Sequence, residues 1–411
     1  MKSMFRKSFE KRHSRELKRE SGRNYVGRKR QSGGRGGSNR KKDAGIDPAL
    51  FVRKAIVTTQ AETFNPQHKF SDFRVDPKLK ENIAKRGFAN PTPIQDGAIP
   101  HILEKRDIIG MANTGTGKTA AFLIPLIHKA MHRATEKALI IVPTRELANQ
   151  IDAEFRDFSA GTGLRSSVCI GGANIQMQIR RLRQDPHFII GTPGRLKDLY
   201  ERNNLDLSTF NNVVLDEVDR MLDMGFIHDM KFLLGLLKEP RQTLFFSATL
   251  PREIAELAKK FLKDPITVRI ESRATSENVE QNVIHVKKKE QKVDTLHDLL
   301  LKEDFRKVLI FCRTKRGADR LSRTLHESGF KADAIHGDKS QGQRERALRK
   351  FEEDALQVLV ATDVAARGLD INDVTHVINF DVPETYEDYI HRIGRTGRGG
   401  KIGNALTFIE E

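Results

Sequence analysis

Three acids stand within four residues in the stretch NVVLDEVDRML, Asn212 to Leu222: Asp216, Glu217 and Asp219, directly behind the apolar run Val213-Val214-Leu215. Carboxylates crowded at the end of a strand can be ordinary caps of the helix that follows. They can also divide a reaction between them, one holding a divalent cation while its neighbour accepts a proton from water. About a hundred residues upstream lies MANTGTGKTAAF, in which Thr114-Gly115-Thr116-Gly117-Lys118-Thr119 follows the apolar run DIIGMA and opens a helix-like segment. Glycines there let backbone N–H groups approach a phosphate chain, and the helix N-terminus favours negative charge. Lys118 then reaches the β- and γ-phosphates, and the Thr119 hydroxyl can ligate Mg²⁺. The general pattern G-x-x-x-x-G-K-[ST] is not strictly met, because its first position is Ala112. With a phosphate loop in place, Asp216 becomes the metal-holding acid and Glu217 the acceptor of the water's proton. The next acid, Asp219, suits a contact between loops, with the Ser247 and Thr249 hydroxyls of FFSATLP within reach. Near the C-terminus YIHRIGRTGRGG sets Arg392, Arg395 and Arg398 at three-residue intervals. Such a cluster can be a solvated face or a nucleic-acid contact. It can equally supply positive charge to a phosphoryl group in its transition state, across a cleft.

These residues need elements to hold them. From about Phe70, short apolar runs alternate with amphipathic stretches: DIIGMA, ALIIVP, SSVCIGG, HFIIGTP, NVVLDE and QTLFFSAT. Continuous apolar strands separated by helices imply a parallel sheet covered on both faces. A second series holds VIHVKK, KVLIFCRT, KADAIHG, QVLVATD, VTHVINF and NALTFIE, after the polar stretch FLKDPITVRIESRATSENVEQN. The expected fold is α/β with two domains in tandem. Residues 1–45 form a basic Gly/Arg-rich tail, 46–69 a short pre-domain segment, 70–270 the first domain, 271–280 a linker and 281–411 the second. Sites on such sheets gather at the C-terminal ends of strands, where the motifs fall.

At 411 residues the chain exceeds one ordinary core. Its net charge of +17 is uneven: residues 1–42 carry 16 Lys or Arg against three Glu, leaving +4 for the remaining 369. That tail lacks hydrophobic periodicity and cannot offset its ordering entropy, so disorder is expected. It is either a solubilising arm or an electrostatic anchor for nucleic acid. A short patch, DPALFVRKAIV, is expected to be helical, with no purpose legible in its residues. The N-terminus lacks the apolar core of a secretory signal, and no window reaches a membrane span. Cys169 and Cys312 lie apart in apolar runs, as buried reduced thiols of a cytoplasmic protein do.

In these motifs the chain resembles the DEAD-box RNA helicases over about Phe70 to Phe408. That family consists of two RecA-like domains binding ATP and RNA between them. FSDFRVDPKLKENIAKRGFANPTPIQ resembles the family's Q motif, which makes Phe70 the aromatic stacked on adenine and Gln95 the reader of its edge. PTRELA (Pro143–Ala148), GG (Gly171-Gly172) and TPGR (Thr192–Arg195) resemble its RNA-contacting elements, as do LIFCRT (Leu309–Thr314), HGDKSQGQR (His336–Arg344) and ATDVAARGLD (Ala361–Asp370). The resemblance implies ATP bound by Ala112, Asn113, Thr114, Gly115, Thr116, Gly117, Lys118 and Thr119, with Mg²⁺ at Thr119 and Asp216. It also implies Asp370 as a ribose or nucleotide contact, Arg395 and Arg398 as arginine fingers, and Asp219 with Ser-Ala-Thr as the coupling of ATP state to RNA state.

RNA is then gripped by its sugar–phosphate backbone, without sequence reading. Thr144, Arg145, Gly172, Thr192 and Arg195 would line the track on one domain, with Thr314, Gln341, Arg344 and Thr362 on the other. Two departures stand out: Val218 replaces Ala in the Asp-Glu-Ala-Asp string, and the chain ends at Glu411 just behind its last strand. The second leaves the basic N-terminal arm as the expected accessory anchor. The expectation is a monomeric ATP-dependent helicase that separates short RNA duplexes or remodels ribonucleoprotein. An ATP-gated RNA clamp, held shut by slow hydrolysis, is the reading from another class; a DNA helicase is a third.

Overall fold

Among the described residues, thirteen strands form two sheets in which every paired neighbour is parallel. The computed structural model describes residues 47–55, 64–113, 115–133, 135–270, 278–288, 291–366, 371, 373–397 and 402–411. The basic tail and most of the 271–280 linker lie outside them. The first sheet holds β1 (Ile108–Met111), β2 (Ala138–Ile141), β3 (Ser166–Cys169), β4 (Phe188–Gly191), β5 (Asn212–Asp216), β6 (Gln242–Ser247) and β7 (Ile266–Arg269), in the order β3-β4-β2-β5-β6-β1-β7. The second holds β8 (Val279–Val286), β9 (Val308–Phe311), β10 (Ala332–Ile335), β11 (Val358–Ala361), β12 (His376–Asn379) and β13 (Gly403–Glu410), in the order β10-β11-β9-β12-β13-β8.

Alternation of side chains along each strand splits each core into two layers. In the first domain Ile140, Val214, Leu244 and Phe246 pack against one set of helices, while Leu139, Ile141, Val213, Leu215 and Phe245 face the other. The second domain repeats this with Val308, Ile310, Val358 and Val360 on one face, and Leu309, Phe311, Leu359 and Val377 on the other. Both faces of the central strands are therefore buried, which explains their unbroken apolar runs. Cys169 and Cys312 are buried free thiols within these layers, and burial pushes the Cys169 thiol up to about 12.

The polar stretch read as a joint contributes structure at both ends. Ile266–Arg269 pairs with β1 as an edge strand, and β8 opens at Val279, inside the span expected as linker. Edge strands bury fewer residues, so their sequences carry little apolar signal. The patch expected to be helical forms one 3₁₀ turn, Pro48–Phe51, capped by the Asp47 carboxylate, which accepts from the Ala49 N–H at 3.0 Å.

Candidate nucleotide and RNA site

The register of the first sheet assembles the opening motifs. Met111, the last residue of β1, lies beside Ser247 of β6, and Asp216 of β5 lies beside Phe246. The phosphate loop, the acidic string and the Ser-Ala-Thr turn thus leave neighbouring strands at one end of the sheet.

The loop is braced from behind. Gly117 caps the Lys118–His132 helix in the left-handed conformation at φ 89°, and a Cβ there would fall 2.4 Å from Gln95 Nε2. Gln95 is buried; its amide donates to the Gly117 carbonyl at 3.0 Å and its carbonyl accepts from the Thr92 N–H at 2.9 Å. The Thr92 hydroxyl donates to the Thr116 carbonyl at 2.8 Å, and that of Thr116 to the Asn113 carbonyl at 2.8 Å. Lys118 is buried and curls over the loop to donate to the Ala112 carbonyl at 2.9 Å. Phe70 is buried too, edge-on to Phe73 and Phe88 with ring centroids 5.8 Å apart in both pairs. Thr92 escaped the sequence reading, although Thr three residues before Gln is the spacing of a capping box and the structure forms one.

Asp216 is wholly enclosed. Burial pushes its carboxyl up to about 6; the Lys118 ammonium pulls it back, and the Glu217 carboxylate raises it further. Glu217 adopts φ 53° and ψ 51°, left-handed backbone that a side-chain-bearing residue rarely takes and that clusters at functional sites. Its N–H donates to Asp216 Oδ1 at 2.9 Å. Glu217 Oε2 is buried with no hydrogen-bond partner among the described residues; Arg220 Nε lies 3.5 Å away, too far for a hydrogen bond of good geometry. A buried acceptor in that state suits a water or a donor delivered by substrate. Asp219 ties the string to the neighbouring turn: Oδ2 accepts from the N–H groups of Ala248 and Thr249, both at 2.9 Å, and from the Thr249 hydroxyl at 3.2 Å. The Asp219 N–H donates to Ser247 Oγ at 3.2 Å. Val218 is wholly buried in the layer with Leu215 and Met221, so the added methyl groups enlarge the packing behind the acids.

One carboxylate and one hydroxyl, Asp216 and Thr119, make a hard-oxygen donor set too small for an all-protein cage. That set fits Mg²⁺, which keeps several waters and borrows phosphate oxygens.

The RNA candidates sit at helix starts. Thr144, Thr192 and Thr314 are the N-cap residues of the Arg145–Phe158, Pro193–Glu201 and Lys315–Glu327 helices. Such starts present unpaired N–H groups and a positive dipole end. The Arg145 guanidinium lies against the Gly171-Gly172 turn; Gly172 has φ 73°, and a Cβ on it would fall 2.0 Å from Arg145 Nη1. Arg195 donates to Gln178 Oε1 at 3.0 Å and to the Ala173 carbonyl at 3.3 Å. Thr362, buried after β11, donates its N–H to the Ile335 carbonyl at 3.4 Å.

The domains meet beside these residues. Arg344 Nη2 lies 2.9 Å from Glu146 Oε1, both side chains buried, and Asn149 donates to Glu345 Oε1 at 3.0 Å. Gln341 donates to the same Glu345 oxygen at 3.1 Å. The structure thus gives Arg344 a carboxylate of the opposite domain, a partner that sequence reading did not find. Arg392 is held inside its own domain by both Asp363 oxygens, at 2.6 and 2.7 Å, and by Asn379 Oδ1 at 3.1 Å. Arg395 is buried in the turn behind the Tyr386–Ile393 helix. Thr114, Asp370 and Arg398 lie outside the described residues.

Comparison with known proteins identifies the family. Residues 92–257 match the DEAD/DEAH box helicase family, and residues 291–400 match the helicase conserved C-terminal domain. The ATP-dependent RNA helicase CshA of Listeria monocytogenes is 47% identical over 344 residues, 83% of this chain and 66% of that protein. The DEAD-box ATP-dependent RNA helicase CshA of Bacillus subtilis is 47% identical over 83% of this chain and 69% of its own length. The chain therefore spans about two-thirds of these relatives. Among solved structures, S. cerevisiae Dbp5 bound to RNA and ADP BeF3 superposes with a TM-score of 0.74 at 31% identity, over 83% of this chain and 89% of that one. Mss116p bound to ssRNA and AMP-PNP superposes equally well at 31% identity, over 82% of this chain and 73% of that one. On both sequence and structure, the chain belongs to the DEAD-box family of ATP-dependent RNA helicases.

Proposed function

We propose that the protein hydrolyses ATP in response to RNA and uses the cycle to separate short RNA duplexes or remodel ribonucleoprotein. The observation that carries this reading is the register setting Met111, Asp216 and Ser247 at one sheet end, with Asp219 joining the acids to the Ser-Ala-Thr turn. In the proposed site Phe70 and Gln95 serve the adenine side, Asp370 the ribose, and Ala112 to Thr119 the phosphates. Lys118 moves from the Ala112 carbonyl onto the phosphates when ATP enters. Thr119 and Asp216 would hold Mg²⁺, which when bound would offset phosphate charge. Glu217 orients the attacking water and takes its proton through the carboxylate oxygen that has no hydrogen bond among the described residues. Arg395 and Arg398 stabilise the γ-phosphoryl charge from the second domain.

RNA phosphates lie along the starts of the Thr144-, Thr192- and Thr314-capped helices, with Arg145, Gly172, Arg195, Gln341, Arg344 and Thr362 completing the track. The Glu146–Arg344 pair holds the domains together over it. Loss of the γ-phosphate is felt at Asp219 and passed to the Ser-Ala-Thr turn. The buried reduced thiols suit a cytoplasmic protein, and we take it to act as a monomer. A test is strand release from a short RNA duplex. ATP should support it through repeated turnovers; a non-hydrolysable analogue should support at most one round. Equal release without any nucleotide contradicts the reading.

A further inference from the structure

We propose that residues 47–55 are a strap built into the second domain, and that Phe51 is a positioning residue for the arginine-bearing turn of that domain. The segment precedes the first domain in the chain yet packs on the second. Phe51 is completely buried, its ring 4.6 Å from that of Tyr389, and it shares an apolar cluster with Val279, Ile393 and Ala405. Its neighbours Leu50 and Val52 remain 49% and 58% exposed, so the 3₁₀ turn delivers one side chain selectively. Two residues on, the strap pairs with β8, the sheet's edge strand. The Arg53 N–H donates to the Gln281 carbonyl at 3.0 Å, and the Gln281 N–H donates to that of Arg53 at 2.8 Å. An edge strand otherwise presents unpaired backbone groups, so this pairing is specific as well as apolar.

What the strap supports is the helix leading to the arginines. Tyr389 and Ile393 lie on the inner face of the Tyr386–Ile393 helix, and the Tyr389 hydroxyl donates to Gln281 Oε1 at 3.0 Å. Gln281 thus holds the strap through its backbone and the helix through its side chain. The turn carrying Arg395 rests on the same strand end: a Cβ on Gly397 would fall 2.8 Å from Val279 Cγ2 and 3.1 Å from the Asn278 carbonyl. Arg392 is anchored independently by Asp363 and Asn379. Arg395 lies between that anchor and the Val279–Gly397 contact, so the packing under Tyr389, Ile393 and Val279 sets its placement. Emptying the Phe51 pocket leaves a void beneath both helix and turn, and interiors relax only partly into such voids.

The proposal rests on the reading of Arg395 as a catalytic finger. The test uses the full chain, with Phe51→Ala and Phe51→Leu, at a temperature below the melting of both. Phe51→Ala should lower the RNA-stimulated kcat by about tenfold to a hundredfold, the scale on which small misplacements act, with Phe51→Leu between it and wild type. KM for ATP should change far less than kcat, because the phosphate loop and the adenine side lie on the other domain. Hydrogen exchange should quicken at residues 386–397 and not in the first domain. A lower melting temperature with wild-type kcat and wild-type exchange at 386–397 overturns the proposal, leaving the functional reading intact. Should Phe51→Ala fail to fold, the kcat of Phe51→Leu decides in the same way. A wild-type protein without RNA-stimulated hydrolysis overturns the functional reading, and this proposal with it.

Discussion

Asp219 offers the sharpest quantitative test of how the ATP site is tied to its neighbour. It is buried, and one carboxylate oxygen collects the Ala248 and Thr249 N–H groups at 2.9 Å and the Thr249 hydroxyl at 3.2 Å. The other oxygen accepts from the Arg220 N–H at 3.0 Å, so Asp219→Ala strands three backbone donors and frees one hydroxyl. An unsatisfied buried donor costs about 1–3 kcal/mol; the turn is half-buried, so water repairs part of the loss and the lower end applies. Three donors at about 1 kcal/mol each and a hydroxyl bond at about 0.5 give roughly 3–4 kcal/mol. For a domain of this size that is a drop in Tm of roughly 6–16 °C. Thr249→Ala removes the hydroxyl bond alone and should cost about 0.5–1 kcal/mol. Calorimetry on both variants, with wild type alongside, measures the pair. The same variants should lose duplex separation more steeply than ATP turnover, because the acid side and the Ser-Ala-Thr side no longer move together. An Asp219→Ala stability within about 0.5 kcal/mol of wild type, or an unchanged ratio of strands released to ATP consumed, refutes the reasoning.

Further expectations follow from the same geometry. Removing either member of the Glu146–Arg344 pair leaves a buried charge uncompensated in the closed state, at about 3 kcal/mol. RNA affinity measured with a non-hydrolysable ATP analogue should fall roughly a hundredfold in Arg344→Ala, while the nucleotide-free melting temperature changes little. Gly117→Ala forces a Cβ against Gln95 from left-handed backbone, and equilibrium binding of a fluorescent ATP analogue should be lost while the fold persists by circular dichroism. Deleting residues 1–45 removes much of the +17 charge. RNA affinity should weaken and its dependence on salt concentration flatten, with ATP binding untouched; an unchanged salt slope removes the anchoring role.

The central strands were legible because burial on both faces writes itself as uninterrupted Val, Ile, Leu and Phe, as in Val213–Leu215 or Val308–Phe311. The loops behind them were legible as loops because glycine, lysine and carboxylate cluster directly after those apolar runs. Edge elements were not: Ile266–Arg269 only half-buries Ile266 and Val268, the first half of β8 buries alternate residues, and polar letters such as Glu280 and Asn282 hide them. Pairings distant along the chain were also out of reach. Nothing near Phe51 announces Tyr389, and nothing near Arg344 announces Glu146, since each partner is defined by how two sheets and their helices close. The turning of Gln95 onto the Gly117 carbonyl, and the left-handed backbone at Glu217, are tertiary outcomes that residue type alone does not encode.

One chemical claim is central to the proposed function, that Glu217 and its neighbours hydrolyse ATP under the control of RNA. Steady-state ATP hydrolysis without nucleic acid, with single-stranded RNA and with DNA of matched sequence, each for wild type and Glu217→Gln, tests it most directly. The predicted result is strong stimulation by RNA alone, lost in Glu217→Gln while ATP and RNA still bind. Stimulation by DNA equal to that by RNA, or turnover in Glu217→Gln equal to wild type, contradicts it.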